Sequence, residues 1–244
     1  KVDPAIPTQS TGVSGNTYKG FPKEIGVIML TKCATEGCHN DASAIAASGL
    51  SLTSWDKLFE GNYAGAAIVP QRPNQSPLLA FINTYSEYGI SLLPSMPIGA
   101  DKLTKEEVKT INDWIINGAP NDQGFVKFSD DLNRSKFYVA NQGCDLVSVF
   151  DRKSGLIMRY MDVGTGPGTE SPHMVRVSPD RQYLYVAFYT TGILEKYSTI
   201  TDQVVNRLTI SSGGTWSTFD ISPDGKMIAA IDWENQGNIA LIDA

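Results

Sequence analysis

The sequence predicts a multi-domain chain, with a helical domain over residues 21–120 followed by an all-β portion built from repeats over residues 121–244. Apolar residues recur at helical spacing ahead of residue 33 and again between residues 104 and 118. In the second half, three strand-like segments align at intervals of 47 and 44 residues. The halves differ in pattern, and 244 residues exceed the usual size of a single domain.

Taken in order, residues 1–20 carry Pro4, Pro7, Gly12 and Gly15 among Ser and Thr and read as a flexible leader or tether. Pro22 to Lys32 reads as the first helix, with Ile25, Ile28 and Met29 on one face. The last helix opens on Thr104 and Glu107 as a capping box. It continues through Val108, Ile111 and Ile115 beside Trp114, and ends at Asn117-Gly118 and Pro120.

Between these helices stands Cys33-Ala34-Thr35-Glu36-Gly37-Cys38-His39. Two cysteines with a histidine directly after the second read as covalent attachment of haem c: the thiols add across the vinyl groups and the imidazole becomes the proximal iron ligand. The spacer has four residues where two are usual, so the loop must bulge. A zinc site wants four ligands, a redox dithiol wants two residues between its cysteines, and a plain disulfide gives His39 no role. The rest of the chain adds only Cys144 and His173. Electron transfer calls for a sixth ligand, and Met96, in Leu92-Leu93-Pro94-Ser95-Met96-Pro97-Ile98-Gly99, lies in a loop that two prolines stiffen. The competing readings are a core-packed loop methionine, or His173 as the ligand. Met29, Met158, Met161, Met174 and Met227 sit in helix or strand patterns and compete less well. Trp114 is expected in the helix contact, in the haem pocket or in ordinary core. Arg72 is a candidate partner for a haem propionate, with a solvated surface arginine as the alternative.

The stretch from Lys32 to Pro120 resembles the planctomycete-type cytochrome c domain. Besides the haem motif, the resemblance rests on Gly49-Leu50-Ser51-Leu52, Ile68-Val69-Pro70, Arg72-Pro73, Ser76-Pro77-Leu78-Leu79 and Met96-Pro97. It continues through Leu103-Thr104-Lys105-Glu106-Glu107, Trp114-Ile115 and Asn117-Gly118-Ala119-Pro120. It implies an α-helical cytochrome c domain with one haem c, with Cys33 and Cys38 as thioether anchors and His39 and Met96 as axial ligands.

The repeated segments of the second half are Lys136–Asn141, Tyr183–Phe188 and Met227–Asp232. The second and third follow Ser178-Pro179-Asp180 and Ser222-Pro223-Asp224-Gly225 turns. Further strands follow, as in Leu146–Asp151 and Asn238–Asp243. A period of this length built from short strands predicts blades of a β-propeller, about three of them with four strands each. Tyr138-Val139-Ala140-Asn141, Val147-Ser148-Val149-Phe150-Asp151 and Ser154-Gly155 resemble the YVTN-repeat propellers, which implies architecture and not function. Residues 121–244 are too few to close such a ring, so the chain is expected to be part of a longer protein or to be completed by another chain.

The net charge of −6 divides as 9 Lys and Arg against 11 Asp and Glu up to residue 120, and 11 against 15 beyond it. Neither half is basic, which argues against a phosphate-neutralising nucleic-acid surface. No apolar run is long enough to span a membrane. The start at Lys1 suggests removal of a signal peptide or lipoprotein leader, and covalent haem attachment in bacteria takes place outside the cytoplasmic membrane. The expected location is therefore periplasmic or at the cell surface. Cys144 is expected to be a buried free thiol. Gly164-Thr165-Gly166-Pro167-Gly168 is no dinucleotide loop, because no helix follows it. His173 would start an innermost strand near the propeller channel, a place that suits a ligand or plain structure.

Three functions fit. The leading one is an electron-transferring c-type cytochrome that meets redox partner proteins, with the propeller as docking or assembly platform. The others are a haem-dependent oxidoreductase with a substrate or second cofactor on the propeller, and a structural subunit of an extracytoplasmic multihaem assembly. No catalytic constellation is visible, so electron transfer rather than catalysis is the expectation.

Overall fold

A computed structural model describes residues 17–211, 214–216, 218–232, 234 and 237–244. Most of the expected leader, residues 1–16, lies outside them. The chain divides into two compact units. One runs to Asp131 and takes in Lys153–Arg159; the other comprises Leu132–Arg152 and Tyr160–Ala244.

In the first unit, helix α1 covers Lys23–Ile28 and runs into a single π-helical stretch, Met29–Cys33, closed by the Ala34 N–H on the Met29 carbonyl at 2.8 Å. A π turn takes one more residue than an α turn and is commonest where a helix must re-aim a side chain. Here Met29 and Cys33 are both buried. Short helices α2 (Trp55–Leu58) and α3 (Pro77–Ile82) follow, α3 with Pro at its first position, where the missing N–H costs nothing. Helix α4 (Lys105–Ile116) has the complete capping box: the Glu107 N–H donates to Thr104 Oγ1 at 3.2 Å, and the Thr104 N–H donates to Glu107 Oε2 at 2.8 Å. Its apolar stripe, Val108, Ile111, Trp114 and Ile115, packs with α1 and with Phe21, Leu58, Leu79 and Leu103.

The second unit is β structure. Strands β1 (Lys136–Asn141), β2 (Leu146–Asp151) and β3 (Ile157–Asp162) form one antiparallel sheet. Strands β4 (Pro172–Val177), β5 (Tyr183–Phe188), β6 (Ile193–Ser198) and β7 (Val204–Thr209) form a second, and β8 (Thr218–Ile221), β9 (Met227–Asp232) and β10 (Asn238–Asp243) a third. The two Ser-Pro-Asp turns repeat one hydrogen-bond pattern. Ser178 Oγ donates to Asp180 and accepts from the Tyr183 N–H at 3.0 Å; Ser222 Oγ donates to Asp224 and accepts from the Met227 N–H at 2.9 Å. Each serine thus fastens the start of the next strand.

The architecture corrects the expectation of an α-helical domain followed by a propeller portion of about three four-stranded blades. The described residues form three separate antiparallel sheets of three, four and three strands, and no propeller or barrel closes. In front of β1, residues 121–131 make turns and loops rather than a fourth strand. Among the described residues the α-helices are four, of 6, 4, 6 and 12 residues, and turns and loops make up much of the first unit. Residues 34–54 run through turns and bends, with left-handed backbone at Gly37, Ser48 and Gly49.

Candidate functional site

The Cys33–His39 segment folds on itself despite its long spacer. The Cys38 N–H donates to the Thr35 carbonyl at 3.1 Å, closing a tight turn in which Gly37 takes φ +77°. The His39 N–H then donates to the Cys33 carbonyl at 3.0 Å, so the first cysteine and the histidine share one closed loop. The four spacer residues are thereby absorbed in a turn that needs glycine at its third place.

His39 is held from a second side. Its Nδ1 lies 3.3 Å from the Leu50 carbonyl, and its own carbonyl accepts the Leu52 N–H at 2.8 Å. A carbonyl facing Nδ1 sets the tautomer with the proton on that nitrogen and the lone pair on Nε2. Asp41 sutures the same strip by accepting from Ser51 Oγ at 2.6 Å and Thr53 Oγ1 at 3.0 Å. Those two hydroxyls hold its carboxyl below the usual carboxylate range. Leu50, Ser51 and Asp41 were not singled out from the sequence as site residues; Gly49-Leu50-Ser51-Leu52 stood only as a family resemblance.

Cys33 and Cys38 are free thiols. Burial, the largest cause, and the nearby Glu107 carboxylate push the Cys33 thiol up to about 12. A redox dithiol needs the opposite, a thiol whose pKa is lowered. Among the described residues, no group of three or more His, Cys, Asp or Glu side chains stands together as a metal centre. Just before Cys33, Lys32 Nζ pairs with Glu107 Oε1 at 2.6 Å, joining the loop to the capping box of α4.

Met96 is half-buried and packs against the apolar cluster that contains Cys33 and Trp114. Its N–H donates to the Phe81 carbonyl at 2.8 Å, and the Leu92 N–H donates to the Ala80 carbonyl at 2.8 Å. These carbonyls belong to the last turn of α3, where no intrahelical donor reaches them. The end of α3 therefore positions the Met96 loop. Around Met96, Ile90, Leu93 and Ile98 are exposed at 63, 87 and 63 %.

Trp114 is a core residue: it meets Phe21 edge-on, 6.3 Å between ring centres, and its indole N–H donates to the Pro120 carbonyl at 2.8 Å. Arg72 is half-buried at the start of a 3-10 turn, with its carbonyl accepting from Ser76 Oγ at 2.8 Å. His173 is in the second unit, exposed on β4, with its ring 5.8 Å from Tyr189 and Nδ1 3.4 Å from Gln142 Oε1. Cys144 corrects the expectation of a buried thiol: it is exposed, because it sits in the hairpin turn between β1 and β2. In the glycine run, the Gly164 N–H donates to Glu195 at 2.9 Å and the Thr165 N–H to Glu170 at 2.5 Å. Carboxylates take the donors that a phosphate would need.

A motif of two free cysteines and an Nδ1-anchored histidine, followed by a methionine loop, defines a candidate haem c site of the cytochrome class. A family model described as planctomycete cytochrome C matches residues 36–89. The match takes in Cys38 and His39; Cys33 and Met96 fall outside it. It supports a c-type cytochrome and implies haem c, and domains of that family are typically periplasmic or extracellular. Among the described residues, no helix is long and apolar enough to cross a membrane. No curated protein matches the chain. Among solved structures, hydrazine synthase of Kuenenia stuttgartiensis is similar at 26% identity and a TM-score of 0.39, over 44% of this chain and 30% of that one. The chain thus spans under a third of that structure's length.

Proposed function

We propose that the chain is a c-type cytochrome that transfers electrons through one haem c, bound to Cys33 and Cys38 by thioethers and ligated by His39 and Met96. The observation that carries the reading is the closed loop from Cys33 to His39, with Nδ1 on the Leu50 carbonyl and Nε2 left as the coordinating nitrogen. The donor set fits the group: two unpaired thiols, one oriented imidazole and one thioether on a loop fastened to a helix end.

Bound haem c would supply a one-electron iron couple, and a histidine–methionine pair sets its potential above that of two histidines. The chain's own part is orientation and exclusion of water. Leu50 holds the imidazole, α3 holds the thioether loop, and exposed Ile90, Leu93 and Ile98 supply apolar cover beside it. The carrier would work in the periplasm or at the cell surface and exchange electrons with redox partner proteins, including other haem proteins of an assembly. A pyridine haemochrome spectrum and the intact mass test the reading together. The expected result is one thioether-linked haem per chain. A chain of unmodified mass after expression with the haem-attachment machinery would refute it. Met96→Ala is expected to abolish the sulfur-to-iron charge-transfer absorption of the oxidised protein.

A further inference from the structure

Lys102 stands six residues after Met96, on the far side of the turn that Gly99 makes at φ +71°. Its ammonium donates to two carbonyls, that of Ser95 at 2.8 Å and that of Pro97 at 2.5 Å. These are the carbonyls immediately before and after Met96. The base of the lysine is fixed: Leu103 is wholly buried, its carbonyl accepts from Tyr85 Oη at 3.2 Å, and Thr104 caps α4. The Ser95 hydroxyl, buried without a partner among the described residues, adds no tie of its own.

We infer that Lys102 is a positioning residue for Met96, clamping the backbone on both sides of the thioether so that the sulfur stays directed at the iron. The inference rests on the ligand reading above. The Met96 N–H bond to Phe81 fixes the middle of the segment, and Lys102 fixes its flanks. Three donors on one freely rotating ammonium suit this better than a planar fork would, since the two acceptors belong to different peptide planes. A charged donor makes each bond stronger than a neutral one. Among the described residues no helix or strand backbone donates to either carbonyl, so without Lys102 both turn to water and the loop gains freedom. A clamped thioether competes well against other ligands; an unclamped one yields to them.

The test uses the full chain carrying its haem, in wild type, Lys102→Ala, Lys102→Arg and Met96→Ala. The readouts are the sulfur-to-iron charge-transfer absorption, the reduction potential, and the affinity for added imidazole, which displaces a weak sixth ligand. Lys102→Ala is expected to weaken the absorption, lower the potential and bind imidazole roughly tenfold more tightly, the equivalent of one charge-assisted hydrogen bond. Lys102→Arg, which keeps a charged donor but presents it as a planar fork, is expected to recover only part of the absorption. Lys102→Ala with wild-type absorption, potential and imidazole affinity would overturn the inference. So would a loss that Lys102→Arg does not reduce at all. If Met96→Ala keeps the absorption, the ligand assignment itself fails and this inference falls with it.

Discussion

The ion pair between Lys32 and Glu107 makes a quantitative prediction, because one carboxylate serves two structures at once. Glu107 accepts the Thr104 N–H at the start of α4 and pairs at 2.6 Å with the lysine that precedes Cys33. The side chains are 36 and 23 % exposed, so water screens the pair and its worth is roughly 0.5–1 kcal/mol. The capping contact is worth about 1 kcal/mol. Glu107→Ala removes both and should cost about 1.5–2 kcal/mol. Lys32→Met removes only the pair and should cost roughly 0.5 kcal/mol. The double variant should then cost no more than Glu107→Ala alone, a coupling of roughly 0.5 kcal/mol. Urea unfolding followed by tryptophan fluorescence measures all four corners of the cycle. Costs that add to within about 0.3 kcal/mol would show that the pair contributes nothing to the fold. The acid limb offers an independent check. Burial raises the Glu107 carboxyl, but the Lys32 ammonium and the Thr104 N–H outweigh it and leave the pKa below the ordinary value. A depressed folded pKa stabilises above the unfolded value of about 4.3 and loses that stabilisation as pH falls through the lower folded value. Stability of Glu107→Gln should therefore fall less than wild type on acidification below about pH 4.

Thiol chemistry separates the three cysteines. In haem-free chain, alkylation should reach exposed Cys144 first and Cys33 last, whereas haem-loaded and denatured chain should expose a single thiol, that of Cys144. Peptide mass analysis reads both, and early modification of Cys33 in the folded chain would contradict its burial. Ile111→Ala opens a cavity in the wholly buried stripe of α4 and should lower stability by roughly 2–5 kcal/mol in denaturant unfolding. Ser222→Ala removes the acceptor of the Met227 N–H and the donor to Asp224, and should cost about 1 kcal/mol with the first unit's unfolding unchanged.

What was legible in the sequence followed local rules. Thr104 and Glu107 stand three residues apart, so the capping box and α4 were visible, and the two Ser-Pro-Asp turns marked the strands they precede. Strand segments at 136, 183 and 227 recur as β1, β5 and β9. That only the sheet of β4–β7 has a fourth strand among the described residues was not legible, because a period states that units repeat and says nothing of how many strands each completes. The two helices read from periodicity, ahead of Cys33 and after Thr104, are present, but the turns and loops that make up much of the chain between them carry no period to read. Cys144 misled because strand patterns flank it closely, although a two-strand hairpin must turn somewhere between them.

The candidate site divides the same way, between ligands and what holds them. Cysteine, histidine and methionine declare themselves by chemistry, since few other side chains bind iron or add to a vinyl group. Their holders are mostly backbone: the carbonyls of Cys33, Leu50, Phe81, Ser95 and Pro97. Every residue has a carbonyl, so no residue type marks them, and only the fold brings them to bear. Backbone also accommodates the four-residue spacer. The loop is closed by the hydrogen bond from the His39 N–H to the Cys33 carbonyl. Here the Thr35–Cys38 turn absorbs the extra length, and it does so through Gly37, whose φ of +77° a β-branched residue would resist. Gly37→Val should therefore lower the yield of thioether-linked chain while leaving α4 and the β sheets folded. Circular dichroism and the haemochrome yield, measured on the same sample, decide it: full haem attachment in the variant would show that the turn does not govern the loop.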